Sequence, residues 1–259
     1  MSEVRLETQA LTRHFGALMA VQEIDFKLTA GARHALIGPN GAGKTTFINL
    51  LTGVLSPTGG RVLLAGNDIT ATAQAERVKR GIARTFQINR LFRGLSVLEN
   101  VYISVAERIG AASGMLAPAG RRCDVIDEAM ALLDMLKLSG DARRRVSELP
   151  YGRQRLIELA IALGLKPAVL LLDEPAAGVP SAENHIILDA IERLPAEIAV
   201  LIIEHDMDVV FRFAERVTVM VGGAIFAEGT PREIEANPEV RAVYLGEATP
   251  GERGRAAHV

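Results

Sequence analysis

Two kinds of apolar pattern alternate along the chain. Near the N-terminus Val4 to Leu6, Ile24 to Leu28 and Arg33 to Ile37 read as strands, and Ile24, Phe26 and Leu28 alternate with polar residues, the two-residue period of a half-buried strand. A Gly-rich turn at 38–43 leads into a predicted helix from Lys44 to Thr52, and Arg61 to Leu64 and Ile82 to Phe86 read as further strands. The texture then changes. Over 95–166 the apolar positions fall at helical spacing, as in Val125, Ile126, Ala129, Leu132 and Leu133, while Gly110 to Gly120, rich in Gly, Ala and Pro, reads as a loop. Beyond it, Ala168 to Leu172 and Ala199 to Ile203 are apolar at every position. Such runs suit strands buried on both faces of a parallel sheet, with a helix near 181–193 between them. Val217 to Val221 and Ala224 to Phe226 are the last predicted strands, followed by short helices.

This order predicts one α/β domain over 1–248, with a helical subdomain of about 88–166 inserted into it and a polar tail, 249–259, expected to be disordered. With 259 residues, 49% of them hydrophobic, the chain can build a sizeable core. The formal net charge of -2 excludes the basic footprint of a nucleic-acid binder. The single cysteine, Cys123, sits among Arg121, Arg122 and Asp124, makes no internal disulfide and fits a reducing compartment. The N-terminal MSEVRLETQALTRHFG lacks the apolar stretch of a signal peptide. No stretch reaches the roughly 18 apolar residues of a membrane span, since Lys166 and Pro167 break the longest candidates. The expected location is the cytoplasm, with any membrane role exerted through a partner.

Candidate chemistry begins at Gly38-Pro39-Asn40-Gly41-Ala42-Gly43-Lys44-Thr45, which fits GxxxxGK[ST] between a strand and a helix. Glycines let the backbone wrap a phosphate without Cβ clashes, and successive N–H groups with the helix N-terminus supply positive field. Lys44 can reach the β- and γ-phosphates, and Thr45 can offer its hydroxyl to Mg²⁺. Val169 to Asp173 is an apolar strand ending in two carboxylates, Asp173 and Glu174. Alone, this would read as a solvated turn. Beside a phosphate loop, Asp173 becomes a candidate to hold Mg²⁺ through its water shell and Glu174 a candidate general base for an attacking water.

The order of the phosphate motif, Phe86-Gln87, Leu149 to Arg155, Leu172 to Pro175 and Glu204-His205-Asp206 resembles that in the ATPases of ABC transporters over about residues 4–246. The resemblance implies a P-loop NTPase (RecA-like) α/β core, an N-terminal antiparallel β subdomain and the inserted α-helical subdomain. It implies binding of ATP with Mg²⁺ and ATP hydrolysis in a head-to-tail dimer, each ATP lying between one phosphate loop, Gly38 to Thr46, and the other subunit's signature loop, where Tyr151 and Gly152 would approach the γ-phosphate. Phe15 stands where the family places an aromatic on adenine; otherwise it reads as a core residue. Gln87 resembles the glutamine that senses Mg²⁺ and water, and His205 the histidine that contacts the γ-phosphate; outside this setting His205 reads as a satisfied core residue. Leu91 and Phe92, between Arg90 and Arg93, are expected to line a groove for a permease helix, or else to pack into the helical subdomain.

Two departures stand out. Pro150 replaces the serine of the usual Leu-Ser-Gly-Gly-Gln signature, and Pro180 stands where many relatives carry aspartate. The Pro-Tyr-Gly signature, Ala176-Ala177-Gly178, Arg84 to Gln87, the Gly/Ala-rich stretch near 110–120 and Asn237 to Gly246 are similar to the ATPases of branched-chain amino-acid importers. That implies transmembrane permease subunits, a second ATPase subunit (itself or a paralogue), a periplasmic binding protein acting indirectly, and a place on the inner face of the cell membrane. The rivals are an ATPase of lipid or lipopolysaccharide export, a non-transport ABC ATPase and a non-hydrolysing scaffold. The lost serine, the single short cassette, and the presence of both Glu174 and His205 argue against them in turn.

Overall fold

The structure is a computed structural model that describes residues 3–85, 91–110, 122–180 and 184–246. Phe86, Gln87 and Arg90, most of the Gly/Ala-rich stretch and the 249–259 tail lie outside the described residues. The chain opens with a long hairpin, β1 (Val4–Phe15) and β2 (Leu18–Thr29), then β3 (Arg33–Ile37) and α1 (Lys44–Thr52). β4 (Gly59–Leu64), β5 (Asn67–Asp68), α2 (Gln74–Lys79) and β6 (Ile82–Arg84) follow. Three helices come next, α3 (Val97–Arg108), α4 (Cys123–Met135) and α5 (Tyr151–Gly164). The rest alternates: β7 (Val169–Asp173), α6 (Asn184–Glu192), β8 (Ala199–Ile203), α7 (Met207–Phe213), β9 (Arg216–Val221), β10 (Ala224–Gly229), α8 (Pro231–Ala236) and α9 (Pro238–Gly246).

Two sheets result. One is antiparallel, in the order β2-β1-β4-β5. The other runs β10-β9-β3-β8-β7-β6, parallel except for the β10 edge. The unbroken apolar runs of β7 and β8 follow from their place inside the second sheet. Leu171, Leu201 and Ile203 face a core shared with α1 and the antiparallel sheet, while Leu170, Leu172, Val200 and Ile202 face a second core under the helices. Each face is apolar, so the two-residue alternation disappears. In α4, Val125, Ala129 and Leu133 recur every four residues and are fully buried. Ser96 and Glu99 start α3 with a capping box, Glu99 N–H donating to Ser96 Oγ at 3.2 Å and Ser96 N–H to Glu99 Oε2 at 2.6 Å.

Every described regular element between 97 and 164 is a helix, and these helices pack against one side of the parallel sheet. The two residues expected together at a groove part company. Leu91 is buried in the helical-side core, whereas Phe92 is 58% exposed. Asn100, buried at the start of α3, pins that backbone, accepting from Phe92 N–H at 2.9 Å and donating to Phe92 O at 3.1 Å. No helix among the described residues is long and apolar enough to cross a membrane.

Candidate active site

In a parallel sheet the strands end at one edge, and loops leaving that edge form the natural cleft. Here the loop after β3 meets the ends of β7 and β8. The phosphate loop is held from outside: Gly223 N–H donates to Ala42 O at 3.0 Å, and Gln22 N–H to Gly223 O at 2.8 Å, so the β9–β10 turn ties it to β2. Two glycines are required sterically. Gly38 and Gly43 have φ of 152° and 95°, and an added Cβ would collide with the carbonyl oxygens of Met220 and Ala20 respectively. Gly43 caps α1 without a side-chain hydrogen bond, and the first turn of α1 carries no acidic residue. The positive end of the helix is thus left for a ligand. Lys44 folds back on the loop, its Nζ donating to Gly38 O at 2.5 Å and Pro39 O at 2.9 Å.

Phe15, the run Asn40 to Thr46, Asp173 and Glu174 line one groove of about 400 Å³. Its apolar end is the tip of the β1–β2 hairpin, where Phe15 is 43% exposed and carries the Arg13 guanidinium 4.7 Å from its ring centre. Leu18 and Met19 are exposed beside it. At the other end Asp173 is buried, and its Oδ2 accepts from Arg84 Nη2 at 2.5 Å. The same guanidinium donates through Nη1 to Asn49 Oδ1 of α1 at 2.7 Å, so Arg84 clamps β7 to the helix that begins at Lys44.

Glu174 sits in the left-handed region at φ 46°, unusual for a residue with a side chain. Its N–H donates to Ile203 O at 3.0 Å and its carbonyl accepts from Ala177 N–H at 3.0 Å. That geometry brings the acid beside His205, with Glu174 Oε1 3.8 Å from His205 Nδ1. Glu204 lies beneath them, 2% exposed. Burial pushes its carboxyl above the usual range, against the N–H groups of His205, Asp206 and Ala176, which favour the charged form.

Tyr151 and Gly152 lie elsewhere, at the start of α5, and do not line this groove. Pro150 caps α5 with no side-chain hydrogen bond. The Tyr151 ring packs on Gly178, where an added Cβ would meet it at 3.3 Å, and lies under the Arg155 guanidinium at 5.1 Å. Gln87 lies outside the described residues; β6 ends at Arg84, and Thr85 N–H still donates to Leu171 O at 3.0 Å. Sequence reasoning missed Arg84 and Glu204 as parts of the site. In each case the sequence shows only a charge closing an apolar strand, Ile82-Ala83 before Arg84 and Ala199 to Ile203 before Glu204; what that charge meets depends on strands and loops that the fold brings together.

The family is shown by comparison with known proteins. The family model described as ABC transporter matches residues 21–177, and one described as branched-chain amino acid ATP-binding cassette transporter matches 224–249. The chain is 39% identical to the high-affinity branched-chain amino acid transport ATP-binding protein LivG of Escherichia coli (strain K12), over 96% of this chain and 100% of that protein. It is 38% identical to the corresponding protein BraF of Pseudomonas aeruginosa, with the same coverage. Among solved structures it is similar to an ATP-binding cassette of an ABC transporter in its ADP conformation, with a TM-score of 0.83, 32% identity, and coverage of 94% of this chain and 99% of that one.

Proposed function

The chain belongs to the ABC transporter family of ATP-hydrolysing cassettes, and we propose that it energises an importer of branched-chain amino acids or related small solutes from the cytoplasmic face of a cell membrane. The observation that carries this reading is the groove in which the Lys44 loop faces Asp173 and Glu174, with His205 3.8 Å from Glu174. The cargo class comes from the names of LivG and BraF.

In this reading Lys44 leaves the carbonyls of Gly38 and Pro39 for the β- and γ-phosphates of ATP, and the N–H groups from Gly41 to Thr46 take up the remaining charge. Phe15 offers its exposed face to adenine. The Thr45 hydroxyl and the Asp173 carboxylate are hard oxygen donors that suit Mg²⁺, which takes most of its ligands from water and phosphate. Arg84 engages only Oδ2 of Asp173, which leaves the second oxygen for that water shell; Gln87 completes the set. Bound there, Mg²⁺ neutralises phosphate charge. Glu174 accepts the proton of the water that attacks the γ-phosphorus, and His205 orients the transferring phosphate. A second ATPase subunit, head to tail, presents its own Tyr151 and Gly152 to the same nucleotide. Residues 88–166 act as the inserted subdomain, which meets the permease subunits near Gln87 and Phe92. A periplasmic binding protein delivers the cargo.

The test is Glu174→Gln in the full chain. Hydrolysis should fall about 10²–10⁴-fold while calorimetric affinity for MgATP stays within a few-fold. Turnover within twofold of wild type would remove Glu174 as the base. Reconstituted with its permease subunits and a periplasmic receptor, the chain should show ATPase stimulated by leucine, isoleucine or valine. Stimulation by lipid alone would reject the cargo assignment.

A further inference from the structure

Glu204 has no part in the proposed chemistry, yet its position is costly. It is a carboxylate with a side chain 3% exposed, directly under the site. Its Oε2 accepts from His205 N–H at 3.2 Å, and its Oε1 has no hydrogen-bond partner among the described residues. A buried acid in this state is tolerated only where its location is used. Three things meet at Glu204. Its backbone directly follows β8, with its N–H reaching Leu36 O at 3.4 Å, on the strand that launches the glycine-rich loop. The N–H groups of His205 and Asp206, from the loop after β8, and of Ala176, from the loop after Glu174, are all oriented to favour its charge. Its Oε2 lies 4.0 Å from His205 Nδ1, the same ring nitrogen that Glu174 approaches at 3.8 Å.

We propose that Glu204 is a positioning residue for His205, fixing the loop that carries the histidine against the loop that follows Glu174 and turning the ring so that Nδ1 faces the two carboxylates. The ring nitrogens are distinct, and the hydrogen bond or charge at one decides which carries the proton. Two carboxylates on the Nδ1 side hold the proton there. Nε2, which has no partner among the described residues, is left as the atom that faces an incoming ligand. Both Nδ1 distances exceed hydrogen-bond length, so the alignment is set by charge, and a small closing movement of the exposed ring completes it. Glu174 cannot do this alone. It is the more exposed of the two, and in the proposed reaction it must hand its charge to a proton. Glu204, buried and tied to the backbone, keeps its place throughout.

This inference rests on the proposed roles of Glu174 and His205, and the experiment separates the two. Histidine ¹⁵N-labelled full chain is examined by long-range ¹H–¹⁵N correlation at a pH where the ring is neutral, with His205→Ala used to assign the signals. Wild type and Glu174→Gln should both show the Nδ1–H tautomer at residue 205. Glu204→Gln, which keeps the shape and a carbonyl acceptor for the backbone, should shift the ratio toward Nε2–H at least fivefold. It should also lower kcat about ten- to hundredfold, as misplacement of a reacting group does, with KM for MgATP within twofold. An unchanged tautomer ratio overturns the proposal whether or not kcat falls, since a fall alone would mark a packing role. Should His205→Ala retain wild-type turnover, the catalytic reading fails while the tautomer result still judges Glu204. If Glu204→Gln is poorly folded by circular dichroism, Glu204→Asp, which withdraws the carboxylate by one methylene, is read in the same way.

Discussion

Among the helices whose N-caps are described, two, α1 and α5, lack a side-chain cap and carry no acidic residue in the first turn. Both present the positive end of a helix, yet they differ in everything else. Ahead of α1 the chain passes through glycines at positive φ, packs against the carbonyls of Ala20 and Met220, and supplies its own cation, Lys44. Ahead of α5 stands Pro150 in extended geometry, and behind it Tyr151 leans on Gly178 and Arg155. The first terminus opens into a groove with Asp173 and Glu174; the second does not contribute to it. A single chain therefore holds a glycine-rich loop with Lys44, Asp173 and Glu174 around one groove and, separately, a second uncapped helix end that does not line it. That arrangement makes sense when the second terminus serves another subunit's nucleotide.

The largest effect should come from removing the cation at α1. Lys44→Ala deletes charge-assisted contacts to phosphate, each worth roughly twice a neutral hydrogen bond, and MgATP affinity by calorimetry should weaken about a hundredfold or more. Affinity within threefold of wild type would mean that the cradle does not bind the phosphates through Lys44. The far end of α1 can be broken too. Arg77, 1% exposed, donates to the carbonyls of Leu50 and Leu51 at the end of α1 at 2.7 and 2.8 Å, and to Thr70 and Thr72 at 2.9 and 3.0 Å. It places a cation at the negative end of the helix. Arg77→Met strands these buried acceptors and should lower unfolding free energy by about 3–4 kcal/mol. α5 has no basic residue in its last turn, and nothing of comparable weight should follow from a change there.

The difference between the two termini also explains what could be read from the sequence. β3, α1 and β8 were legible to the residue, because a fully apolar run and a Gly-rich loop leave few alternatives. β5, two residues long, and α2, six residues long, carry too little periodicity to stand out. That Lys44, Asp173 and Glu174 come together at one groove was legible because their spacing is a local property of chain and strand. Arg84 was not: its contact with Asp173 bridges 89 positions and depends on β6 pairing with β7. Glu204 was passed over for a related reason, since its burial is visible only when the loops after β7 and β8 are brought together. Leu91 and Phe92 were treated alike because adjacent apolar residues look alike until the backbone sends one inward and one out.

Acidification should separate the two halves. His34 in β3 is buried against Phe26, with Nε2 2.7 Å from Thr218 Oγ1, and burial lowers its pKa from 6.5 to about 4. The Arg216 charge lowers it further, and Glu228 opposes both. The folded state therefore favours the neutral ring. Its contribution is fully present above pH 6.5 and is lost as pH falls through that value toward 4. At about 1.4 kcal/mol per unit, the loss reaches at most about 3 kcal/mol. Glu158 in α5 behaves in the opposite sense. Burial raises its pKa above 4.5, against the hydrogen bond and charge of Arg155, so its contribution is lost on raising the pH. Chemical unfolding at pH 7 and pH 5 should show His34→Gln losing less stability than wild type on acidification, and Glu158→Gln losing at least as much. Equal slopes for wild type and His34→Gln would reject the buried neutral histidine.

The smallest effect, and the sharpest use of the comparison, is to make α5 resemble a side-chain-capped helix. Serine at position 150 would bring a hydroxyl to the very terminus that the proposed partner nucleotide must face. Two consequences can be told apart. A serine N-cap stabilises the helix by roughly 1 kcal/mol, which would raise the melting temperature of the lone chain. A hydroxyl on the partner's phosphate would instead strengthen ATP-driven pairing, by about 0.5–1.5 kcal/mol per contact. With one contact at each end of a self-dimer, affinity should rise about tenfold or more. The measurement is sedimentation of Glu174→Gln, with and without Pro150→Ser, at micromolar concentration and saturating MgATP. Pro150→Ala serves as the control that removes the ring without adding a donor. A tighter dimer for serine and none for alanine would tie the second helix terminus to the partner's nucleotide. A higher melting temperature with unchanged pairing would leave serine a cap and nothing more, and a tight dimer before any substitution would show that Pro150 and Pro180 are no handicap and that no paralogue is needed.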